Sequence, residues 1–147
     1  MKKYSTQIIY FIFTLFIASN ANSKTNFFEE AKKLYISKKY DKSKFLLEKN
    51  IVYNPKHYKS YLYLAKIYRE KKNDEEEKKN LDTTLLIDSK NEEALYMLIE
   101  FNLKKSNFSK VNKLMERFSL ICLTLCDSKK KIQEKLKAFE QSNESEK

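Results

Sequence analysis

The sequence predicts an all-α fold built from repeated pairs of helices. Three segments align at a spacing of 34 residues, so that one repeat position holds Phe27, Tyr61 and Leu95. The 147-residue chain has no glycine and one proline, which disfavours the glycine-dependent turns of β-hairpins. One unit of this length cannot bury its own apolar face, so we expect neighbouring units to stack and share a core.

The composition also limits the possible functions. Without glycine the chain cannot form the phosphate-binding loops of P-loop or dinucleotide-binding enzymes. The formal net charge is +10. In an exported chain such a charge favours acidic proteins or anionic lipid over nucleic acid as partners, and a merely solubilising, lysine-rich surface is the alternative.

Residues 1–23 have the pattern of a secretory signal peptide. Lys2 and Lys3 are followed by an apolar stretch from residue 8 to residue 18 and by the small residues Ser19 and Ala21. This arrangement predicts export, with cleavage after Ala21 or Ser23. The alternative is an uncleaved membrane anchor formed by residues 4–18.

The remaining chain divides into three units, each with two amphipathic helices. The units are predicted at residues 24–57, 58–91 and 92–125. First helices are predicted at 26–38, 58–71 and 92–105, and second helices at 41–53, 74–87 and 108–125. Pro55 biases Asn54 away from helical geometry and marks the first boundary. In the polar turns within the second and third units, Asn73 and Asn107 are expected to adopt the left-handed conformation that glycine usually takes.

The middle unit resembles a tetratricopeptide repeat (TPR). The resemblance rests on Tyr61, Leu64-Ala65, Tyr68, Leu81 and Leu85. It implies a right-handed superhelical array of three TPR-like helix-turn-helix repeats. Glu77 departs from the family pattern, because a small residue is expected at that position.

A C-terminal capping helix is predicted after the third unit, at residues 126–141. Asp127 and Ser128 are suitable N-cap residues, and Ile132, Leu136 and Phe139 follow at helical spacing. Such a helix would cover the apolar face of the last unit. Residues 142–147 are expected to be a disordered tail.

Few residues indicate chemistry. Cys122 and Cys126 either form a disulfide or are two reduced, buried cysteines, and the four-residue spacing suits a disulfide only if the helix ends near them. His57 is expected to be an exposed turn residue without an orienting carboxylate. We therefore predict no catalytic residues, no metal and no cofactor.

The TPR resemblance implies that the first helices line a concave, aromatic and basic groove. The implied lining is Phe28, Lys32, Tyr35, Lys59, Leu62, Lys66, Arg69, Glu93, Tyr96, Glu100 and Leu103. The expected function is non-enzymatic binding of an acidic protein or peptide by an exported adaptor or assembly factor of the cell envelope. The alternative is a membrane-tethered structural TPR protein with an uncleaved N-terminal helix, lying against anionic lipid.

Overall fold

The computed structural model describes residues 26–144, and this part of the chain is helical without strands. The helices are α1 (Phe27–Ile36), α2 (Tyr40–Tyr53), α3 (Tyr58–Glu70), α4 (Asp74–Ile87), α5 (Glu92–Lys104), α6 (Phe108–Ile121) and α7 (Ser128–Glu144). The fold is therefore all-α, as predicted. The predicted signal segment, residues 1–23, lies outside the described residues.

The helix boundaries repeat with the period of the sequence. The second helices α2, α4 and α6 begin at residues 40, 74 and 108 and end at residues 53, 87 and 121, so both sets of boundaries are 34 residues apart. The first helices α1, α3 and α5 end at residues 36, 70 and 104, with the same spacing. Each helix packs against the next one along the chain, and α1 also contacts α3.

The turn within each helix pair has the same left-handed geometry without glycine. Lys38, Lys72 and Ser106 have φ angles of 56°, 55° and 54°. The following residue in each turn donates its backbone N–H to the carbonyl five residues earlier, which closes the preceding helix. The prediction of left-handed geometry at Asn73 and Asn107 is wrong by one residue. Their side chains cap α4 and α6 instead. Each side-chain oxygen accepts a hydrogen bond from the backbone N–H of the residue three positions later, Glu76 and Lys110 respectively.

Two apolar cores hold the helices together, and α3 contributes to both. The C-terminal core contains Leu62 and Ala65 together with buried residues of α4 to α7, and the N-terminal core contains Leu64 and Ile67 together with residues of α1 and α2. The position shared by Ala31, Ala65 and Ile99 is fully buried in all three units. Small or aliphatic side chains recur there because the paired helices approach closely.

The helix α6 ends earlier than expected. We predicted that it would continue to residue 125, but it ends at Ile121 because Cys122 is extended, with ψ at 135°. Cys122 and Cys126 form a disulfide across the connecting loop. The capping helix α7 then begins at Ser128 and buries Ile132 and Leu136 in the C-terminal core.

The end of α7 also differs from the prediction. The helix extends through Glu144, past the expected end at residue 141 and into the segment predicted to be a disordered tail. The predicted apolar position Phe139 lies outside the residues whose side chains the structure describes.

Candidate functional site

A cleft of about 360 Å³ lies between α1, α3, α5 and the loop after α6. We call it the tyrosine cleft. It brings together six of the predicted groove residues, namely Tyr35, Lys66, Arg69, Glu93, Tyr96 and Glu100, with Glu70, Met97 and Leu125. The first helices supply most of the lining.

The other predicted groove residues lie elsewhere. Phe28 and Leu62 are 7% and 5% exposed and belong to the two apolar cores, so their placement in an open groove is wrong. Phe28 is buried in the core with residues of α2 and α3, and Leu62 is buried in the core with residues of α4 to α7. Lys32 and Lys59 do not line the tyrosine cleft. Leu103 lines a neighbouring pocket of about 490 Å³ on the other side of Arg69.

Arg69 joins three helices through its guanidinium group. Its Nε lies 2.7 Å from Glu77 Oε1 on α4, and its Nη1 lies 3.0 Å from Glu100 Oε2 on α5. Its Nη2 donates to the Met97 carbonyl at 3.0 Å, and Tyr96 donates its hydroxyl to the second oxygen of Glu100. We call this arrangement the Arg69 network.

Electrostatics in the Arg69 network favour the charged guanidinium. Burial opposes the charge, but the hydrogen bond and Coulombic attraction from Glu77, together with Glu100, outweigh it and raise the pKa of Arg69 above its ordinary value. Glu77 is only 3% exposed, so Arg69 compensates a carboxylate that is almost entirely out of water. We therefore assign Arg69 a structural role, which is to neutralise the buried carboxylate of Glu77.

The sequence contained a signal for this network that we did not use. Glu77 occupies the repeat position held by Ser43 and Val111, and all three side chains are buried. A carboxylate at a buried repeat position requires a cation from a neighbouring helix. Arg69 is the arginine of the adjacent α3, and it could have been proposed as that cation.

The tyrosine cleft is not basic. Lys66 pairs with Glu93 at 2.6 Å and lies 4.6 Å from the ring centre of Tyr63. Two cationic side chains and three carboxylates line the cleft. Both cations form ion pairs with carboxylates of this lining, Lys66 with Glu93 and Arg69 with Glu100. The expectation of a basic groove fails because residues on α5 supply the counter-charges.

The tyrosines of the cleft are held in defined positions. The ring of Tyr35 packs edge-on against Tyr63 at 5.2 Å and tilted against Tyr40 at 5.6 Å. Burial raises the pKa of Tyr35 above its ordinary value, and nearby Tyr40 and Glu70 add to the effect. Burial likewise raises the pKa of Tyr96, as does its hydrogen bond to Glu100. Both hydroxyls therefore remain neutral and offer apolar rings with a polar edge.

His57 is not the exposed turn residue we expected. It is half-buried at the start of α3, its ring lies 4.7 Å from that of Phe28, and its Nδ1 lies 2.9 Å from Ser60 Oγ. Burial lowers the pKa of His57, and Lys59 lowers it further against an opposing effect of Glu29. Ser60 is fully buried. The His57–Ser60 contact therefore lacks the access that a nucleophile requires. The same two residues join the first two helix pairs, His57 through its ring contact with Phe28 and Ser60 by accepting a hydrogen bond from Asn50.

Glu92 holds the disulfide loop beside the cleft. Its carboxylate accepts the backbone N–H groups of Leu123, Thr124 and Leu125, at distances from 2.5 Å to 3.1 Å. Burial opposes its ionisation, but these hydrogen bonds and the Thr124 hydroxyl outweigh burial and lower the pKa of Glu92. The loop thereby places Leu125 in the lining of the tyrosine cleft.

Two further features of the described residues bear on function. Across residues 26–144, no three His, Cys, Asp or Glu side chains converge as a bound metal ion would require. None of the helices described in this range combines the length and apolar character needed to cross a membrane.

No protein-family model matches the chain, and no curated protein matches it.

Proposed function

We propose that this chain is a non-enzymatic, exported TPR protein that binds another protein, as an adaptor or assembly factor of the cell envelope. Its three helix pairs would form a right-handed superhelical array with the tyrosine cleft on the concave side. The observation that carries the proposal is the convergence of Tyr35, Lys66 and Tyr96 in one cleft. Rigid aromatic side chains beside a cation are typical anchors for a peptide.

Lys66 is the cation that would recognise an acidic partner. Its pair with Glu93 involves a carboxylate whose side chain is 48% exposed. Pairs at such positions contribute about 0–1 kcal/mol, so a partner carboxylate can replace Glu93 at low cost. Arg69 cannot be released in the same way, because its departure would leave Glu77 buried without a counter-charge.

Two features support export and a binding role. A disulfide such as Cys122–Cys126 is typical of proteins that fold in oxidising compartments. The histidine and serine that lie within hydrogen-bonding distance are His57 and Ser60, and burial of Ser60 deprives this pair of access to a substrate. Both observations agree with a secreted binding module.

Site-directed photo-crosslinking in cells that produce the protein tests the proposal. A photo-reactive amino acid at Tyr96, inside the cleft, should yield a defined adduct with one envelope protein. Lys66→Glu should abolish the adduct, because the introduced carboxylate would repel the partner carboxylate at its binding position. The matched control is Lys59→Glu, which makes the same charge change outside the cleft and should preserve the adduct.

Two results would contradict the proposal. One is a Tyr96 adduct that persists in Lys66→Glu, which would remove the role of the cleft cation. The other is crosslinking from Lys59 and not from Tyr96, which would move the interface away from the cleft. Circular dichroism of each variant establishes that helicity is retained.

A further inference from the structure

Three exposed aliphatic side chains occupy the same position in the three helix pairs. Val52, Leu86 and Leu120 are 34 residues apart, and each is the penultimate residue of a second helix. Their exposed fractions are 78%, 85% and 87%. A single exposed leucine on a protein surface is ordinary, but exposed apolar groups that form a set often mark an interaction site. We call these three residues the aliphatic row.

A hydrogen bond links α6 to the turn after α4 at the end of these helices that carries the row. Arg117, one turn before Leu120, donates a hydrogen bond to the carbonyl of Ser89 in the turn that follows Leu86. Helices α2 and α4 both pack against α3. Because equivalent positions of stacked repeats follow one another along the same edge, we infer that the row lies along one edge of the helix array.

Exposed lysines occur within seven residues of each member of the aliphatic row, and one of them, Lys49, lies 4.5 Å from the ring centre of Phe27. Lys49, Lys56, Lys90 and Lys113 are exposed, and none of them forms an ion pair within the described part of the chain. The acidic residues on the same faces of α2 and α4, Glu48 and Asp82, are already paired with Lys44 and Lys78 one turn earlier. Glu116 on α6 is outnumbered by these lysines. The edge thus combines protruding aliphatic groups with uncompensated positive charge.

We propose that the aliphatic row docks on the surface of an anionic lipid bilayer. The three aliphatic side chains would enter the boundary between headgroups and acyl chains, while the flanking lysines would contact headgroup phosphates. A bilayer accepts protruding apolar side chains one by one, and basic residues add electrostatic attraction to anionic lipid. This interaction is separate from the binding of a protein in the tyrosine cleft.

The same observations argue against other occupants. A stable protein interface needs a closely packed apolar centre within about 800 Å² on each partner, and three separate, projecting side chains do not provide one. Two copies meeting through this edge would bring their unpaired lysines together, which charge repulsion opposes. An anionic surface satisfies both the apolar and the charged groups.

A tryptophan reporter tests the proposal in the full-length protein. The natural chain contains no tryptophan, so Leu86→Trp introduces a single indole at the centre of the row. Vesicles containing phosphatidylglycerol should shift its emission to the blue, and brominated acyl chains should quench it. The control is Ile36→Trp, at another exposed aliphatic position (68% exposed) outside the row. Its emission should not change, even if the N-terminal segment holds the chain on the vesicle.

Affinity provides a second measurement. Each inserted aliphatic side chain should contribute about tenfold to vesicle affinity, so the triple variant Val52→Ser, Leu86→Ser, Leu120→Ser should lose about two to three orders of magnitude of row-dependent binding. Added salt should also weaken insertion of the reporter, because the lysine contacts are screened.

Several outcomes would overturn the proposal. Unchanged emission from Leu86→Trp with anionic vesicles would mean that the row does not reach lipid. An equal blue shift with phosphatidylcholine vesicles would refute the role of the lysines. A blue shift that follows protein concentration without vesicles would identify a second copy of the chain as the occupant.

Discussion

Replacing Arg69 by methionine should destabilise the protein strongly without a direct loss of core packing. Methionine retains much of the aliphatic stem but removes the guanidinium that contacts Glu77, Glu100 and the Met97 carbonyl. The carboxylate of Glu77, which is 3% exposed, would then be buried without a counter-charge. The predicted loss therefore comes mainly from an uncompensated charge and only partly from lost contacts.

The size of the effect follows from the burial of the two partners. Removing one member of a fully buried ion pair costs about 3–5 kcal/mol. The Arg69 side chain is 33% exposed, so water partly screens the charges. We therefore expect a loss smaller than for a fully buried pair, about 2–3 kcal/mol. At a urea dependence of about 1.5 kcal/mol/M, the unfolding midpoint should fall by about 1.3–2 M.

Urea unfolding monitored by circular dichroism provides the measurement, and two variants control it. The double variant Arg69→Met, Glu77→Leu removes both charges and should recover most of the stability, since replacing a buried pair by apolar residues is often neutral. The variant Lys66→Met breaks the more exposed pair with Glu93 and should cost no more than about 1 kcal/mol.

The reasoning fails if Arg69→Met and Lys66→Met lower the midpoint by the same small amount. It also fails if the double variant is less stable than Arg69→Met, because that result would mean that Glu77 is tolerated without its partner. In either case Arg69 would be available for binding, and the distinction between a structural Arg69 and an exchangeable Lys66 would be lost.

Three further predictions concern titration and backbone geometry. The pKa of His57 is lowered, so its contribution to stability is complete above about pH 6.5 and decreases as the pH falls from there to the folded-state pKa. The urea midpoint should therefore fall with pH in this range. His57→Gln should abolish this pH dependence, and a variant that retains it would refute the role of His57. The pKa of Glu92 is also lowered, so its contribution to stability is present above about pH 4.3 and is lost as the pH falls further. At neutral pH Glu92→Gln should accelerate amide exchange at Leu123, Thr124 and Leu125, whereas unchanged exchange would show that the disulfide alone holds the loop. Lys72→Gly should raise stability by about 0.5–1 kcal/mol because glycine adopts positive φ without strain, and a lower urea midpoint would contradict this expectation.

The helix pairs were predictable because the repeat recurs in residue type and position. The three buried residues Ala31, Ala65 and Ile99 fix which face of each first helix is internal, and the polar turns fix where the helices end. The end of α6 was not predictable in this way. It depends on a disulfide and on Glu92, a residue about 30 positions earlier in the chain, and such a distant contact has no local pattern.

The candidate site was predicted in position but not in charge. The resemblance to a TPR predicted Tyr35, Lys66 and Tyr96 on one surface, because a helical repeat fixes which positions face the same way, and these three side chains do line one cleft. It did not reveal that Glu93 and Glu100 lie against the cations, since pairing depends on the side chains of the next helix. The net charge of such a cleft therefore has to be predicted from the side chains of adjacent repeats considered together.

Because α3 contributes to both apolar cores, the boundary between the two cores is a seam at which the chain can unfold locally while one core stays intact. Separation of α1 and α2 would expose Leu64 and Ile67 while leaving the C-terminal core and the Arg69 network intact. His57 and its contact with Phe28 lie on this seam. We therefore expect the first helix pair to exchange its amide hydrogens as one cooperative unit, ahead of the others, and most readily in mildly acidic solution. Unfolding of this protein would then occur in two cooperative units, with His57 at the boundary between them.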